Sequence, residues 1–169
     1  MFINSHLATG YLLYKLNIFE KKWFPIWILS AWIPDIDGLW SSSVVEHHSV
    51  LHTQIFWIVL CSLGWIIGHL QKNINIKTFF IILFIGTFAH LFTDYITART
   101  VGIKWLYPLN DVDYFLYPII PENGDIPIWK MLVPPYLTFY FENKLLTAFE
   151  LLLNIFALVL YFFSFKKLN

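Results

Sequence analysis

Residues 76–97 have the sequence IKTFFIILFIGTFAHLFTDYIT, an almost unbroken apolar run with a histidine and an aspartate near its end. The run is long enough to cross the hydrocarbon core of a bilayer, which takes about 20 helical residues. His90 and Asp94 would lie on the same side of such a helix, one turn apart. They could be a buried hydrogen-bonded pair, but ionisable groups in a membrane helix are usually functional. The run therefore predicts both a membrane-spanning helix and a site at one end of it.

The composition of the whole chain is that of a membrane protein, since 58% of its 169 residues are hydrophobic and 20% are aromatic. Runs at 50–70 and 145–165 are also long enough to span a bilayer, and two shorter apolar pieces lie at 6–18 and 24–33. We expect an all-α integral membrane helical bundle with three long transmembrane helices and two shorter N-terminal helices. No internal repeat or linker divides residues 1–169, so we expect a single domain.

Residues 98–141 differ from the rest, because they contain six of the eight prolines interleaved with tryptophan and tyrosine. Proline interrupts helices, and the two aromatic residues favour the headgroup zone of a bilayer. The segment is expected to form an irregular interfacial cap over the acidic end of the bundle. It would serve as a lid or substrate groove, or only as an anchor.

Charges are divided unevenly when the predicted helices are threaded up and down through a membrane. One face receives seven lysines against Glu20 alone, and the other receives four basic and ten acidic residues. Basic residues in short loops favour the cytoplasm, so the acidic face is expected to be extracytoplasmic. That face carries no basic stripe that would neutralise a phosphate backbone, which makes nucleic acid an unlikely partner.

The same threading gathers histidines and aspartates at the acidic face. His52 at the start of one long helix should meet His90 and Asp94 at the end of its antiparallel neighbour. The sequence Pro34-Asp35-Ile36-Asp37-Gly38 forms a turn at the bilayer boundary. Such a turn can simply be solvated, but carboxylates at a bilayer edge are costly unless they are paired or bind an ion. The candidate metal ligands are His6, Asp35, Asp37, His47, His52, His90 and Asp94, whereas His69 falls on the opposite face.

Mixed imidazole and carboxylate ligands suit zinc, and also manganese or iron, better than magnesium or calcium. Such an ion lowers the pKa of a bound water and stabilises developing negative charge, so hydrolysis is the expected chemistry. One or two divalent ions are expected as cofactors, with zinc as the best fit. The main alternative is a non-catalytic membrane protein whose metal site is structural or sensing. An ion carrier is disfavoured, because residues 55–68 and 76–89 contain no acidic residue.

Several motifs in fixed order carry a resemblance to a known family. They are Ser5-His6, Pro34-Asp35-Ile36-Asp37, His47 with His52, and His90-x-x-x-Asp94 followed by Thr97, Gly102 and Pro108. Together they resemble the bacterial inner-membrane metal-dependent hydrolases of the YdjM type, over residues 4–108. That family is in turn distantly similar to zinc-dependent phospholipase C and the single-strand nucleases, which are helical enzymes that cleave phosphate esters.

The resemblance implies a multi-pass inner-membrane hydrolase that cleaves a phosphate ester. Because the site lies at the bilayer edge on a net negative face, we expect the substrate to be a lipid or a small ester. It implies that His47 or His52, together with His90, Asp94 and Asp35, surrounds a principal metal ion. His6 would hold a second ion, with Asp94 as a possible bridge and with Asp35 or Asp37 as the base for water. The chain departs from the family at His48, where an arginine is usual, and so lacks a possible phosphate clamp.

Overall fold

The computed structural model describes residues 2–98, 101–116 and 126–166. Within these ranges the fold is all-α. The described residues form two isolated β-bridges but no β-strand. The α-helices are α1 (Ile3–Lys15), α2 (Phe24–Ser30), α3 (Val44–His47), α4 (Gln54–Leu70), α5 (Ile74–Thr97), α6 (Tyr136–Glu142) and α7 (Lys144–Lys166). Short 3-10 turns lie at Lys21–Trp23, Ile33–Leu39, Val50–His52 and Ile128–Leu132. The predicted all-α class is confirmed.

Helices α4 and α5 form the central antiparallel hairpin. The connection is tight, because Lys72 adopts a left-handed φ of 52° and the Asn73 side chain accepts two backbone N–H bonds from the first turn of α5. Gly64 allows the Phe80 ring to lie against α4, since a Cβ there would be 2.3 Å from that ring. The hairpin brings the start of α4 beside the end of α5.

Two helical segments, Ile74–Thr97 and Lys144–Ser164, are long and apolar enough to cross a membrane. The prediction of a third long span over 50–70 is wrong in its extent. Thr53 has an extended backbone, with φ −112° and ψ 131°, so α4 begins only at Gln54 and has 17 residues. A helix of that length measures about 25 Å, less than the ~30 Å of a hydrocarbon core. The residues before Thr53 form a separate 3-10 turn that ends at His52.

The two shorter N-terminal helices are present, and both pack closely. A Cβ at Gly10 of α1 would lie 2.6 Å from the Trp27 carbonyl oxygen of α2, and a Cβ at Gly86 of α5 would lie 1.9 Å from Ser30 Oγ of α2. Glycine at these two positions therefore sets how closely α1 approaches α2 and how closely α2 approaches α5. Helix α1 begins at Ile3, three residues earlier than expected, which places His6 within its first turn.

The described part of the proline-rich segment is largely irregular, as predicted. Ile103 pairs with Tyr114, and Pro127 pairs with Ser43, in isolated antiparallel bridges. The segment also contains the 3-10 turn Ile128–Leu132 and helix α6, which the proline pattern did not predict. Residues 99–100 and 117–125 of the predicted cap lie outside the described residues.

Gly86→Ala should destabilise the protein by about 1–3 kcal/mol, because its added methyl group would overlap the Ser30 side chain in a tightly packed interface. Adding Ser30→Gly to the same chain removes that side chain and should restore part of the loss. Unfolding of both variants in detergent, beside the wild type, measures the effect. Unchanged stability of Gly86→Ala would mean that α2 and α5 do not pack this closely.

Candidate metal centre

The seven predicted ligands come from four separate segments and meet in one place. Helix α1 supplies His6, the turn Ile33–Leu39 supplies Asp35 and Asp37, the loop before α4 supplies His47 and His52, and α5 supplies His90 and Asp94. Each is within 3.6 Å of at least one other member. Ligand atoms of His6, Asp35, His90 and Asp94 all lie within 4.8 Å of one another, as do those of His47, His48 and His52. The cluster could therefore hold a metal ion.

The interatomic distances divide the cluster differently, and the first group of ligand atoms comprises His52 Nε2, His90 Nε2, Asp35 Oδ1 and Asp94 Oδ2. The two Nε2 atoms are 3.3 Å apart, and Asp35 Oδ1 is 3.5 Å from both. Asp94 Oδ2 is 3.0 Å from His90 Nε2 and 3.6 Å from His52 Nε2. Ligands held about 2.0–2.1 Å from a tetrahedral zinc ion are about 3.3 Å from one another. The distances from the two histidine nitrogens to each other and to the two carboxylate oxygens, 3.0–3.6 Å, are close to that value.

His47 brings a further nitrogen to the first group. Its Nε2 is 3.4 Å from Asp35 Oδ1, and its ring meets the His52 ring edge-on, with centroids 4.5 Å apart. Its side chain is 18% exposed, whereas those of His52 and His90 are fully buried. His47 is therefore the member of this group that is most accessible from outside.

The second group lies around His6 and uses the other oxygens of the same two aspartates. His6 Nε2 is 3.2 Å from Asp94 Oδ1 and 3.6 Å from Asp35 Oδ2. Each aspartate thus places one oxygen beside His52 and His90 and its other oxygen beside His6. A carboxylate divided in this way can bridge two neighbouring ions.

The imidazole of His6 is suited to bind a metal ion for a second reason. The residue is fully buried, and neither ring nitrogen has a hydrogen bond among the described residues. Its Nε2 lies 3.2 Å from Asp94 Oδ1, so two potential ligand atoms are neighbours here. A buried polar atom left without a partner is costly, and an ion would satisfy it. The ring also stacks on that of His90, with centroids 3.8 Å apart.

Three of the histidine rings are oriented through their Nδ1 atoms. Asp37 Oδ1 accepts a hydrogen bond from His47 at 2.5 Å, and Asp37 Oδ2 accepts one from His52 at 3.3 Å. His90 Nδ1 donates to the Ala31 carbonyl oxygen at 2.9 Å. Each bond leaves Nε2 free to bind an ion, which is the usual arrangement of metal-bound histidine. The structure thus places Asp37 behind two candidate ligands.

Burial, neighbouring charges and hydrogen bonds shift the pKa of several members of the cluster. Burial raises the pKa of Asp35, but the charge of His90 and hydrogen bonds from His47 and His52 outweigh burial and hold it well below its ordinary value. Burial lowers the pKa of His47 and of His52, but hydrogen bonds to Asp35 and Asp37 outweigh that effect and raise both. The raised pKa values favour the protonated, positively charged form of these two imidazoles beside the carboxylates.

His48 is a neighbour of the cluster that was not among the predicted ligands. Its Nδ1 donates to the Gly102 carbonyl oxygen at 3.2 Å, and its ring stacks on that of His52, with centroids 4.8 Å apart. Burial, followed by the charges of His52 and His47, lowers the pKa of His48 to about 3, so the ring is neutral. His69 lies in the last turn of α4 and stacks on Trp65, at the opposite end from this cluster.

A cavity of about 460 Å³ lies beside the cluster, which is within the usual range for a small-molecule site. Its charged or titratable lining consists of Asp35, Asp94, His47 and His48. The rest of the lining is mostly apolar and comprises Phe2, Ile3, Asn4, Trp32, Gly38, Leu39, Val44, Ile128, Met131 and Leu132. Among the described residues, neither lysine nor arginine lines it.

A comparison with protein families bears on the whole chain. The family described as YdjM inner membrane protein matches residues 1–168. The chain belongs to this family. No curated protein and no solved structure matches it, so the expected similarity to phospholipase C and single-strand nucleases has no support from these comparisons. Membership of the YdjM family agrees with the two helical segments that are long and apolar enough to cross a membrane.

Asp37→Ala should weaken metal binding about 10–100-fold, because His47 and His52 lose the carboxylate that orients them. Competition with a fluorescent zinc chelator would measure the affinity. Glu46→Ala is the matched control, since Glu46 is an exposed acid of α3 whose carboxylate accepts hydrogen bonds from Ser42 and from no other described residue. Equal metal affinity in the two variants would contradict the role given to Asp37.

Metal binding should release protons at neutral pH and should tighten as the pH rises. The pKa values of His47 and His52 are raised in the metal-free protein, so both rings stay protonated above the ordinary value of about 6.5. An ion must displace these protons, and its apparent affinity therefore increases with pH until both rings are neutral. Titration calorimetry in buffers of different ionisation enthalpy counts the protons. Binding that neither releases protons nor depends on pH would contradict this account.

Proposed function

We propose that this YdjM-family protein is a membrane-bound, metal-dependent hydrolase that cleaves a phosphate ester of a lipid or other amphiphile. The observation that supports this most strongly is the division of two carboxylates: Asp35 and Asp94 each have one oxygen near His90 and the other near His6. Asp35 and Asp94 could therefore contribute ligands to two neighbouring ions, the kind of site that two-metal phosphatases and nucleases use.

The proposed ligands follow from the two groups of atoms. His52 and His90 would hold one ion together with Asp35 and Asp94, and His47 would be a further ligand. His6 would hold the second ion with the remaining oxygens of the two aspartates. Zinc suits these donors best. The second ion has fewer protein ligands, which leaves positions for water and substrate and favours a catalytic over a closed structural site.

The protein side chains would have different roles around these ions. Bound ions of this kind lower the pKa of water towards neutrality and stabilise negative charge on a phosphate. Asp37 was expected to be a ligand or a base, but both of its oxygens accept bonds from His47 and His52. We therefore propose that Asp37 orients these rings. Asp35 lines the cavity, and we propose it as a ligand of both ions rather than as the base for water, because both of its oxygens would then be bound.

The cavity beside the ligands supports an amphiphilic substrate. Its wall is mostly apolar, and Leu39 and Leu132 both line the cavity and are 78% and 61% exposed. A phosphate could reach the ions while an attached chain lies along the wall and out between these leucines. Because no lysine or arginine of the described residues lines the cavity, the ions would supply its positive charge. This favours a small anionic headgroup.

The proposed location follows the distribution of lysines. We propose a multi-pass protein of the bacterial inner membrane, with the metal centre on the extracytoplasmic face, since basic residues near spans favour the cytoplasm. Helix α7 would then end in the cytoplasm at Lys166.

An alkaline phosphatase domain fused to that end of α7 should be inactive, and an active fusion would contradict the proposed orientation.

The alternative is a non-catalytic membrane protein with a structural or sensing metal site. The number of buried side chains at the centre is compatible with a closed site, because His6, His52 and His90 are all fully buried. The cavity at Asp35 and Asp94 argues for access instead. Metal content and turnover together separate the two functions.

Metal analysis of detergent-purified protein should find two zinc ions per chain in the wild type. His6→Ala should retain one, and His90→Ala should weaken both sites, since its ring touches ligands of each group. His69→Ala is the control histidine and should retain two. The same samples should hydrolyse dodecyl phosphate or a long-chain phosphodiester faster than phenyl phosphate.

The outcomes separate the two candidate functions. Fewer than one tightly bound ion in the wild type would refute the metal centre itself. Two ions without turnover on mono- and diesters of either chain length would favour the non-catalytic alternative. Equal turnover of long-chain and short substrates would refute the amphiphilic substrate but not the hydrolase.

A further inference from the structure

We infer that Glu150 of α7 is a positioning residue for His6, because a buried polar junction joins it to the residue next to that histidine. Glu150 Oε2 accepts a hydrogen bond from Ser5 Oγ at 2.8 Å and another from the Phe2 backbone N–H at 3.2 Å. Asn154, one turn further along α7, donates to Ser5 Oγ at 2.7 Å. The inference rests on the proposed function, in which His6 holds the second ion.

The surroundings of Glu150 explain why this junction is strong. Glu150 is 3% exposed, whereas the next two residues, Leu151 and Leu152, are 58% and 65% exposed on a helix apolar enough to cross a membrane. A polar group on such a helix has no water to bond to, so it must find its partners within the protein. Glu150 Oε1 has no hydrogen bond among the described residues. Loss of the bonds to Oε2 would leave the whole carboxyl group without partners.

The junction acts on the metal centre through the backbone of α1. Ser5 and His6 are consecutive, so bonds to the Ser5 hydroxyl fix both the rotation and the height of the first turn of α1 against α7. The His6 ring has no hydrogen bond of its own to hold it. A metal ligand must be correct to within about 0.2 Å, so a small slide or rotation of α1 would remove His6 from the second group.

The same pair of helices offers a matched control at its other end. Lys15 Nζ, in the last turn of α1, donates to Ser164 Oγ of α7 at 2.6 Å. This contact also joins α1 to α7 through polar side chains, but it lies more than two helical turns from His6. Ser164→Ala weakens the helix pair without touching the junction at Glu150. It should therefore leave the metal centre intact.

The test is the zinc content of the purified full-length chain. Glu150→Leu should lower it from two ions to one and weaken the second site about 10–100-fold, as expected when an outer partner of a ligand is lost. Glu150→Gln keeps an oxygen that can accept from Ser5 and should retain two ions. Ser5→Ala removes one hydroxyl with little change in volume, and it should weaken the second site even if Glu150→Leu does not fold. Ser164→Ala should bind two ions.

Each outcome bears on the inference. Two tightly bound ions in Glu150→Leu, or in Ser5→Ala when the leucine variant does not fold, would overturn the positioning role and leave the two-ion centre standing. A similar loss of zinc in Ser164→Ala would also overturn it, because the effect would then be general loosening of α1 from α7. A wild type that binds a single ion would refute the two-ion proposal and this inference with it.

Discussion

The structure depends on placing partners beside two carboxylates that are largely removed from solvent. The side chains of Asp35 and Asp94 are 10% and 3% exposed and lie among the imidazoles of His6, His52 and His90. A buried charge without a partner costs several kcal/mol, so the segments that carry these imidazoles must meet. The close approach of α2 to α5 at Gly86 and the extended backbone at Thr53 both help to bring these segments together.

The sequence predicts part of this arrangement. Long apolar runs indicate the spans, and the types of side chain at their ends indicate the site. The run at 76–97 gave the longest span, and antiparallel threading placed His52 beside His90 and Asp94, where the structure also has them. The loop residues Asp35 and His47 joined the same cluster because short connections return the chain to one face. The resemblance to the YdjM family, drawn from ordered motifs, is confirmed by the family match over residues 1–168.

Other features depend on three-dimensional contacts that sequence does not reveal. Val50 and Leu51 are as apolar as the helix that follows, so nothing local shows that they form a separate 3-10 turn with His52, divided from α4 by the extended Thr53. The backbone carbonyls of Ala31 and Gly102, which orient His90 and His48, have no side-chain signature. The two aspartates in Pro34-Asp35-Ile36-Asp37 look equivalent in sequence, and only the structure shows that Asp37 is hydrogen-bonded to Nδ1 of His47 and His52 whereas Asp35 faces Nε2 atoms.

The shortness of α4 has a consequence for the lipid around it. Its 17 residues are about 5 Å too short for a typical hydrocarbon core. A bilayer meets this hydrophobic mismatch by thinning locally, or the protein meets it by shifting flanking residues towards the headgroups. Thinning at the Thr53 end would bring the headgroup plane down to the level of Asp35 and His47. In the function proposed above, a lipid ester would then stand beside the cluster while its chain remains in the membrane, so the deformed bilayer would itself help to present that substrate.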